Sequence, residues 1–179
     1  MSSSVNSQTL WYLSRGTGMV TLVLLTLTLL LGIAGLRSRG WLTMPRYVIA
    51  GLHRNLSLLL LVFVSVHIAT AVLDPYAGLR LINAVLPFSS TYRPLWVGLG
   101  AIALDLLMAV VVTSLVRARL GLATWRAVHW AVYVIWPVAV LHAVGSGSDI
   151  ASGLVPALIA VCAALVLAAG GWRLLGEVA

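Results

Sequence analysis

Charged residues are scarce in this sequence, and lysine is absent. Only 8% of the 179 residues are charged, whereas a soluble domain carries roughly 25%. The eleven basic residues are all arginine, and there are four acidic ones. So few charges cannot cover a water-soluble globule, which excludes a soluble enzyme. The single cysteine, Cys162, excludes a disulfide framework within the chain, and we expect it to serve as a small apolar residue.

Long apolar runs make up most of the sequence. Hydrophobic residues make up 61% of the chain. A transmembrane helix needs about 20 mostly apolar residues, and five stretches qualify. These predicted spans cover residues 19–36, 47–73, 95–116, 125–144 and 154–175. The predicted fold is an all-α integral membrane protein, a five-helix bundle in which residues 1–179 form a single domain.

The net charge of +7 does not indicate a nucleic-acid partner. The arginines are scattered in ones and twos between the apolar runs and form no patch with interleaved aromatic residues. Most of them fall at one set of span ends, as the positive-inside rule requires. This set consists of Arg37, Arg39, Arg46, Arg54, Arg117, Arg119, Arg126 and Arg173. We therefore expect a multi-pass protein of the cytoplasmic membrane, in contact with lipid, with its N-terminus outside and its C-terminus in the cytoplasm.

The longest connection between spans covers residues 74–93. Its middle, residues 78–87, is apolar on balance. A short interfacial helix over the outer mouth of the bundle and a plain loop are both compatible with this pattern.

All four histidines fall inside predicted spans, and they fall in only two of the five. His53 and His67 lie on the second span, and His129 and His142 lie on the fourth. These two spans run parallel, so His53 matches His129 in depth near the cytoplasmic side, and His67 matches His142 near the outer side. Ionisable residues inside a span are costly and usually functional.

Paired imidazoles at two depths favour a particular kind of metal binding. Neutral imidazole suits haem iron, zinc and copper, but a zinc site needs three or four protein ligands. Two histidines per level fit the two axial positions of a b-type haem. At 1.5 Å per residue the two levels are separated by roughly 20 Å, which leaves room for one haem at each. The alternative is that each histidine is a lone polar residue bonded across helices.

The spacing on the fourth span needs a local distortion. The 14 residues between His53 and His67 bring the side chain back to within about 40° of the same helix face. The 13 residues between His129 and His142 miss by about 140°. A kink at Pro137, or a wide turn beside it, would be needed to correct this difference.

Two sequence patterns resemble a known family. One is His53-Arg54-Asn55-Leu56 followed by His67, and the other is Trp125-Arg126-x-x-His129-x-x-x-Tyr133 followed by His142. They look like the ferric reductase-like transmembrane domain, whose members include ferric reductases, NADPH oxidases and the haem subunit of a bacterial methionine-sulfoxide reductase system. The resemblance covers about residues 10–150. It implies two b-type haems, with His53 and His129 as ligands of the inner one and His67 and His142 as ligands of the outer one.

The resemblance also implies electron transfer across the membrane. Ferric reductases and NADPH oxidases append a region that binds FAD and NAD(P), but this sequence has no dinucleotide fingerprint. We therefore expect no FAD or NAD(P) site in the chain, and a separate flavoprotein, ferredoxin-like protein or quinol as donor. The outer acceptor would be ferric iron, oxygen or a partner reductase. The alternatives are a haem subunit without substrate chemistry of its own, and a haem-free scaffold or small transporter.

The remaining polar residues have several possible roles. Haem propionates need cationic donors. Candidates are Arg46, Arg54 and Arg126 for the inner haem, and Arg80 and Arg93 for the outer one; the alternative role is as topology and headgroup anchors. Asp105 is predicted in the middle of the third span. It would orient a ligand histidine, relay protons, or stay protonated and bond to Ser57, Ser65 or a backbone carbonyl.

Overall fold

The computed structural model describes residues 2–36, 44–147 and 153–175. In these ranges all of the regular secondary structure is helical. Eight helices occur in these ranges. They are α1 (Ser2–Leu36), α2 (Arg46–Leu73), α3 (Leu81–Val85), α4 (Pro94–Leu115), α5 (Arg117–Leu120), α6 (Leu122–His129), α7 (Val132–Ser146) and α8 (Leu154–Leu175).

Five helical segments are long and apolar enough to cross a membrane, which confirms the predicted five-span fold. They are Gln8–Gly35, Arg46–Leu73, Pro94–Leu115, Leu122–Ser146 and Leu154–Leu175. The fourth combines α6 and α7. The protein is therefore a multi-pass membrane protein. Arg37 and Arg39 lie outside the described residues, and the orientation of the termini remains a prediction.

Helix α1 begins well before the predicted start of the first span at residue 19. It starts at Ser2, and its membrane-compatible part starts at Gln8. The sequence has no proline before Pro45 and no glycine before Gly16. Helix growth adds one hydrogen bond for each residue fixed, so the long apolar run extends backward through residues that do not interrupt it.

The described helices form two compact units. The first unit comprises Met1–Gly16 and His67–Gly147, and the second comprises Thr17–Val66 and Ser148–Ala179. In the first unit α4 is central, because α3, α6 and α7 all pack against it. The buried apolar side chains of this unit include Ala101 and Val110 on α4 and Ile135 and Trp136 on α7.

In the second unit α1 and α2 approach closely. The missing side chain of Gly35 leaves room for Ile49, whose Cγ2 would lie 3.7 Å from a Cβ at that glycine. Four buried side chains of α1 lie three or four residues apart and so share one face of the helix, namely Leu22, Leu25, Leu29 and Ile33. Burial extends beyond this face, because Leu24, Thr26, Thr28 and Ala34 are also buried. Cys162 on α8 is also buried, as expected for a small apolar residue.

Large apolar side chains are exposed in the middle of the spans. Leu58 and Val62 on α2, Val112 on α4 and Leu167 on α8 are each more than half exposed. In water such an apolar surface would promote association with other molecules, whereas in a membrane it can lie against lipid chains. Several hydroxyl groups in the spans are satisfied locally, because they donate to a carbonyl of their own helix. Examples are Thr26 to Leu22, Ser57 to His53 and Ser65 to Leu61.

The connection between α2 and α4 contains the short helix α3, so the helical alternative for this segment is confirmed. Asn83 holds it: its side-chain oxygen accepts the N–H of Arg80 at 2.8 Å, and its amide donates to the Ser89 hydroxyl at 2.9 Å. Leu81, Ile82 and other apolar side chains of the helix are exposed. A position at the membrane surface remains a prediction.

The fourth span is interrupted at Trp130 and Ala131, between α6 and α7. Backbone N–H groups here bond to the carbonyl three residues back, in Ala131 to Val128, Tyr133 to Trp130 and Val134 to Ala131. Each such step turns the chain by about 120° instead of about 100°, so three steps add roughly 60° and close part of the 140° mismatch between His129 and His142. This distortion is a tight turn upstream of Pro137 rather than a wide turn, and the kink at Pro137 remains a prediction. Pro137 lies inside α7, where it has no backbone N–H to donate to the carbonyl of Tyr133.

Gly98 provides a test of the packing around α4. A Cβ at this buried glycine would overlap the Phe88 ring and lie 2.8 Å from the Phe88 backbone nitrogen. We expect Gly98→Ala to lower the free energy of unfolding by about 1–3 kcal/mol, because backbone cannot move aside easily. Gly51→Ala on α2 is the control, since a Cβ there meets no atom within 4 Å; it should stabilise by roughly 0.5–1 kcal/mol. Thermal unfolding in detergent measures both, and equal melting temperatures would contradict this packing.

Candidate functional site

His142 is fixed by the helix that packs against its own. It lies on α7, and its Nδ1 is 2.7 Å from the backbone carbonyl oxygen of Trp96 on α4. A carbonyl only accepts, so Nδ1 carries the proton and donates. The lone pair of the neutral ring is then on Nε2, the nitrogen left available to a metal.

Gly100 makes this contact possible. It follows Trp96 by one helical turn, so both face α7 from the same side of α4. A Cβ at Gly100 would lie 2.7 Å from Nδ1 and Cε1 of His142, closer than real Cβ contacts come. The imidazole therefore occupies the space of a missing side chain.

His53 is held in the same way in the second unit. Its Nδ1 donates to the carbonyl of Thr28 on α1 at 3.0 Å. Gly32 stands one turn after Thr28, and a Cβ there would lie 3.6 Å from Cε1 of His53. The arrangement repeats that of Trp96 and Gly100, but with more space at the glycine.

His67 also has its Nδ1 engaged by a backbone carbonyl. It donates to Ser14 on the first part of α1 at 2.8 Å. In this unit the rings of His67 and His142 come together, with centroids 6.3 Å apart and planes at 80°. The structure thus brings together the two histidines that the sequence assigns to the outer level.

The distance between these two rings would let His67 and His142 hold one metal ion between them. A metal-bound imidazole nitrogen lies about 2 Å from its ion, so the ring centres of two ligands on opposite sides lie about 6 Å apart. Hydrogen bonds from both Nδ1 atoms to carbonyls are the usual second-shell support of metal-binding histidine. No group of three or more His, Cys, Asp or Glu side chains occurs in the described ranges, so a tetrahedral zinc site lacks protein ligands there.

His129 closes α6, just before the interruption of the fourth span. The Trp125 ring lies one turn earlier, with its centroid 5.0 Å from that of His129. The Trp125 indole N–H donates to the Ser114 hydroxyl on α4 at 3.2 Å, and the Arg117 guanidinium lies 5.6 Å from the indole centre. The tryptophan of the Trp-Arg-x-x-His pattern therefore anchors α6 beside α4. His53 and His129 belong to different units, and their pairing remains a prediction.

The predicted arginine partners of the haems have different surroundings. Arg54, Arg126, Arg46 and Arg80 are exposed. The Arg93 guanidinium is engaged, since it donates to the Gly145 carbonyl at 2.7 Å.

Arg15 is a charged neighbour of His67 that the sequence patterns did not reveal. It follows Ser14, whose carbonyl accepts the His67 Nδ1–H, and its guanidinium lies 5.3 Å from the Trp11 ring centre. In the sequence Arg15 lies shortly before the apolar run of residues 19–36, and this position alone indicates no contact with a histidine.

Asp105 does not orient His53, His67 or His142. The Nδ1 atoms of His53, His67 and His142 all donate to backbone carbonyls, and Asp105 is exposed on α4. The hydroxyls of Ser57 and Ser65, proposed as its partners, donate to their own helix.

Comparison with models of protein families identifies the family of this chain. The family model described as "Ferric reductase like transmembrane component" matches residues 17–140, about two thirds of the sequence. The chain belongs to this family. Three of the four histidines lie inside the matched segment, and His142 lies two residues beyond it. Comparisons with curated proteins and with solved structures gave no match.

The two glycines beside the histidines offer a matched pair of substitutions. In a ferric reductase-like domain that holds haem, Gly100→Ala should push the His142 ring off the Trp96 carbonyl and lower the haem content. Gly32→Ala adds a Cβ at an ordinary contact distance from His53 and should retain the parent's content. Both replace a helical glycine, so backbone effects are similar. Haem extraction from the purified variants measures their haem content. Equal haem content in both variants would contradict this role for Gly100.

Proposed function

We propose that this ferric reductase-like protein is a di-haem b-type cytochrome that transfers electrons across the cytoplasmic membrane. The observation that carries the proposal is the His67 and His142 pair. Their rings are 6.3 Å apart, and each donates its Nδ1 proton to a backbone carbonyl. Ferric reductase-like transmembrane domains generally bind haem, which supports the same assignment.

The chain's own residues prepare the outer site. The carbonyls of Ser14 and Trp96 hold both imidazoles in the tautomer that leaves Nε2 free for iron. They also increase the basicity of the ligands. Haem bound there would supply one-electron chemistry through its iron. Because the ligands are held by backbone, they keep their positions when the charge of the site changes, which lowers the reorganisation that electron transfer requires.

The inner site is proposed to use His53 and His129. The Nδ1 of His53 donates to Thr28 at 3.0 Å, which supports the same tautomer, and Trp125 lies against His129. Arg54 and Arg126, exposed and close in sequence to these ligands, are proposed to bind the propionates. With an inner and an outer haem, electrons would pass from the cytoplasmic to the outer side.

We propose the electron donor and the electron acceptor only as chemical classes. A separate flavoprotein, a ferredoxin-like protein or quinol supplies the electrons, since the sequence has no dinucleotide fingerprint. The outer acceptor is ferric iron, oxygen or a partner reductase. In the last case the protein is a redox subunit without substrate chemistry of its own.

Haem stoichiometry tests the proposal directly. Protein expressed with ample haem should contain two b-type haems per chain by extraction and a reduced-minus-oxidised spectrum. Replacement of His67 or His142 by alanine should remove one haem and leave the other, and so should replacement of His53 or His129. Thr113→Ala is a control for loss of a polar group in a span, because Thr113 donates to its own helix; it should retain both.

Two outcomes would contradict this assignment in different ways. Colourless protein would favour the haem-free scaffold or transporter. Two haems retained in every single histidine variant would show that the ligands are wrong although haem is bound.

Arg15 should raise the reduction potential of the outer haem. Arg15 directly follows Ser14, whose carbonyl accepts from His67, and a positive charge close to the haem would favour the ferrous state, because that state carries one positive charge less. Arg15→Gln should lower the outer potential by an amount on the order of tens of millivolts, while Arg15→Lys retains most of it. Redox titration of both haems measures the effect. A potential unchanged in Arg15→Gln would show that the charge is screened from the site.

A further inference from the structure

Arg93 occupies an unusual backbone conformation directly before α4. Its φ of 42° and ψ of 60° are left-handed, a region that non-glycine residues rarely adopt. The next residue, Pro94, begins the helix with a fixed φ. The strain places the Arg93 guanidinium against the end of α7, where it donates to the Gly145 carbonyl at 2.7 Å.

Gly145 lies in the last turn of α7, where carbonyls lack partners within the helix. A cation at a helix C-terminus also interacts favourably with the helix dipole. The C-terminal end of α7 is therefore enough to stabilise the Arg93 guanidinium, and the contact needs no anionic group.

A second hydrogen bond joins the same two segments in the opposite direction. Arg93 of the α4 entry donates to α7, and His142 of α7 donates to the Trp96 carbonyl of α4 at 2.7 Å. Arg93 precedes Trp96 by three residues, and His142 precedes Gly145 by three. The Trp96 indole also fills the space above Gly145, because a Cβ there would overlap the indole. These contacts fix the distance between the two helix ends.

We propose that Arg93 is a positioning residue that sets the plane of the His142 imidazole, and not a propionate partner. His142 reaches the Trp96 carbonyl with its ring at 80° to that of His67 only while the helix ends keep this distance. The inference rests on the proposed function, because the ring plane matters when His142 binds iron. Outer-shell groups that orient a ligand are an established means of tuning a metal site.

The relative orientation of two axial imidazole planes has its own spectroscopic signature. In a low-spin ferric haem, nearly perpendicular planes raise the largest g value, and rotation toward parallel lowers it. Electron paramagnetic resonance thus reports the ring plane, whereas a redox titration reports charge near the haem. The two measurements separate a positioning role from a propionate contact.

The test uses the full chain with both haems bound. Arg93→Gly removes the guanidinium and relieves the positive φ, so the variant should fold at least as well as the parent. We expect the largest g value of the outer haem to shift, while the inner haem signal stays unchanged. Arg93→Lys keeps a cationic donor and should restore the parent signal at least partly. Arg80→Gln removes the same charge from the same connection and should keep the parent's largest g value.

Each other outcome has a distinct meaning. A lower outer potential in Arg93→Gly with unchanged g values would overturn the inference in favour of a propionate contact. Identical g values and potentials in Arg93→Gly and parent would overturn it altogether. If the parent protein itself binds no haem at His67 and His142, the proposed function fails first, so the two failures are distinguishable.

Discussion

The hydrogen bond from a histidine Nδ1 to a helix carbonyl is the interaction on which the site depends. A carbonyl inside a helix already accepts one N–H, but it has a second lone pair. A side chain from another helix reaches that lone pair only where nothing blocks the next turn. Gly32 after Thr28 and Gly100 after Trp96 provide this opening. In a bilayer, where water offers no alternative partner, the same bond also satisfies a polar nitrogen that would be costly to leave unpaired.

The N-terminal end of α4 combines several of these constraints in a few residues. Arg93 contacts the end of α7, Trp96 supplies the carbonyl for His142, Gly98 accommodates Phe88, and Gly100 accommodates the imidazole. The connection carrying α3 and the helix α7 therefore both depend on one short stretch of backbone. This explains why α4 is central in its unit although it carries no histidine.

The interruption of the fourth span reduces the angular mismatch between His129 and His142. A regular helix would place His129 and His142 on different faces, and the tight turn at Trp130–Val134 changes their relative direction. Trp125 anchors the segment before the turn to Ser114, while Trp96 and Arg93 fix the segment after it. The two halves are thus held separately by α4, which lets a local distortion persist in the middle of a membrane span.

The sequence by itself determined the membrane class, the five spans, the four candidate histidines and the family. Scarcity of charge and long apolar runs are local properties that survive any arrangement of the helices. The tertiary structure decided which groups serve those histidines. It assigned Arg93 to a helix end, brought Arg15 to His67 and left Asp105 exposed. Sequence patterns could not show this, because the acceptors are backbone carbonyls, which every residue has, and only packing selects the ones that a neighbouring histidine can reach.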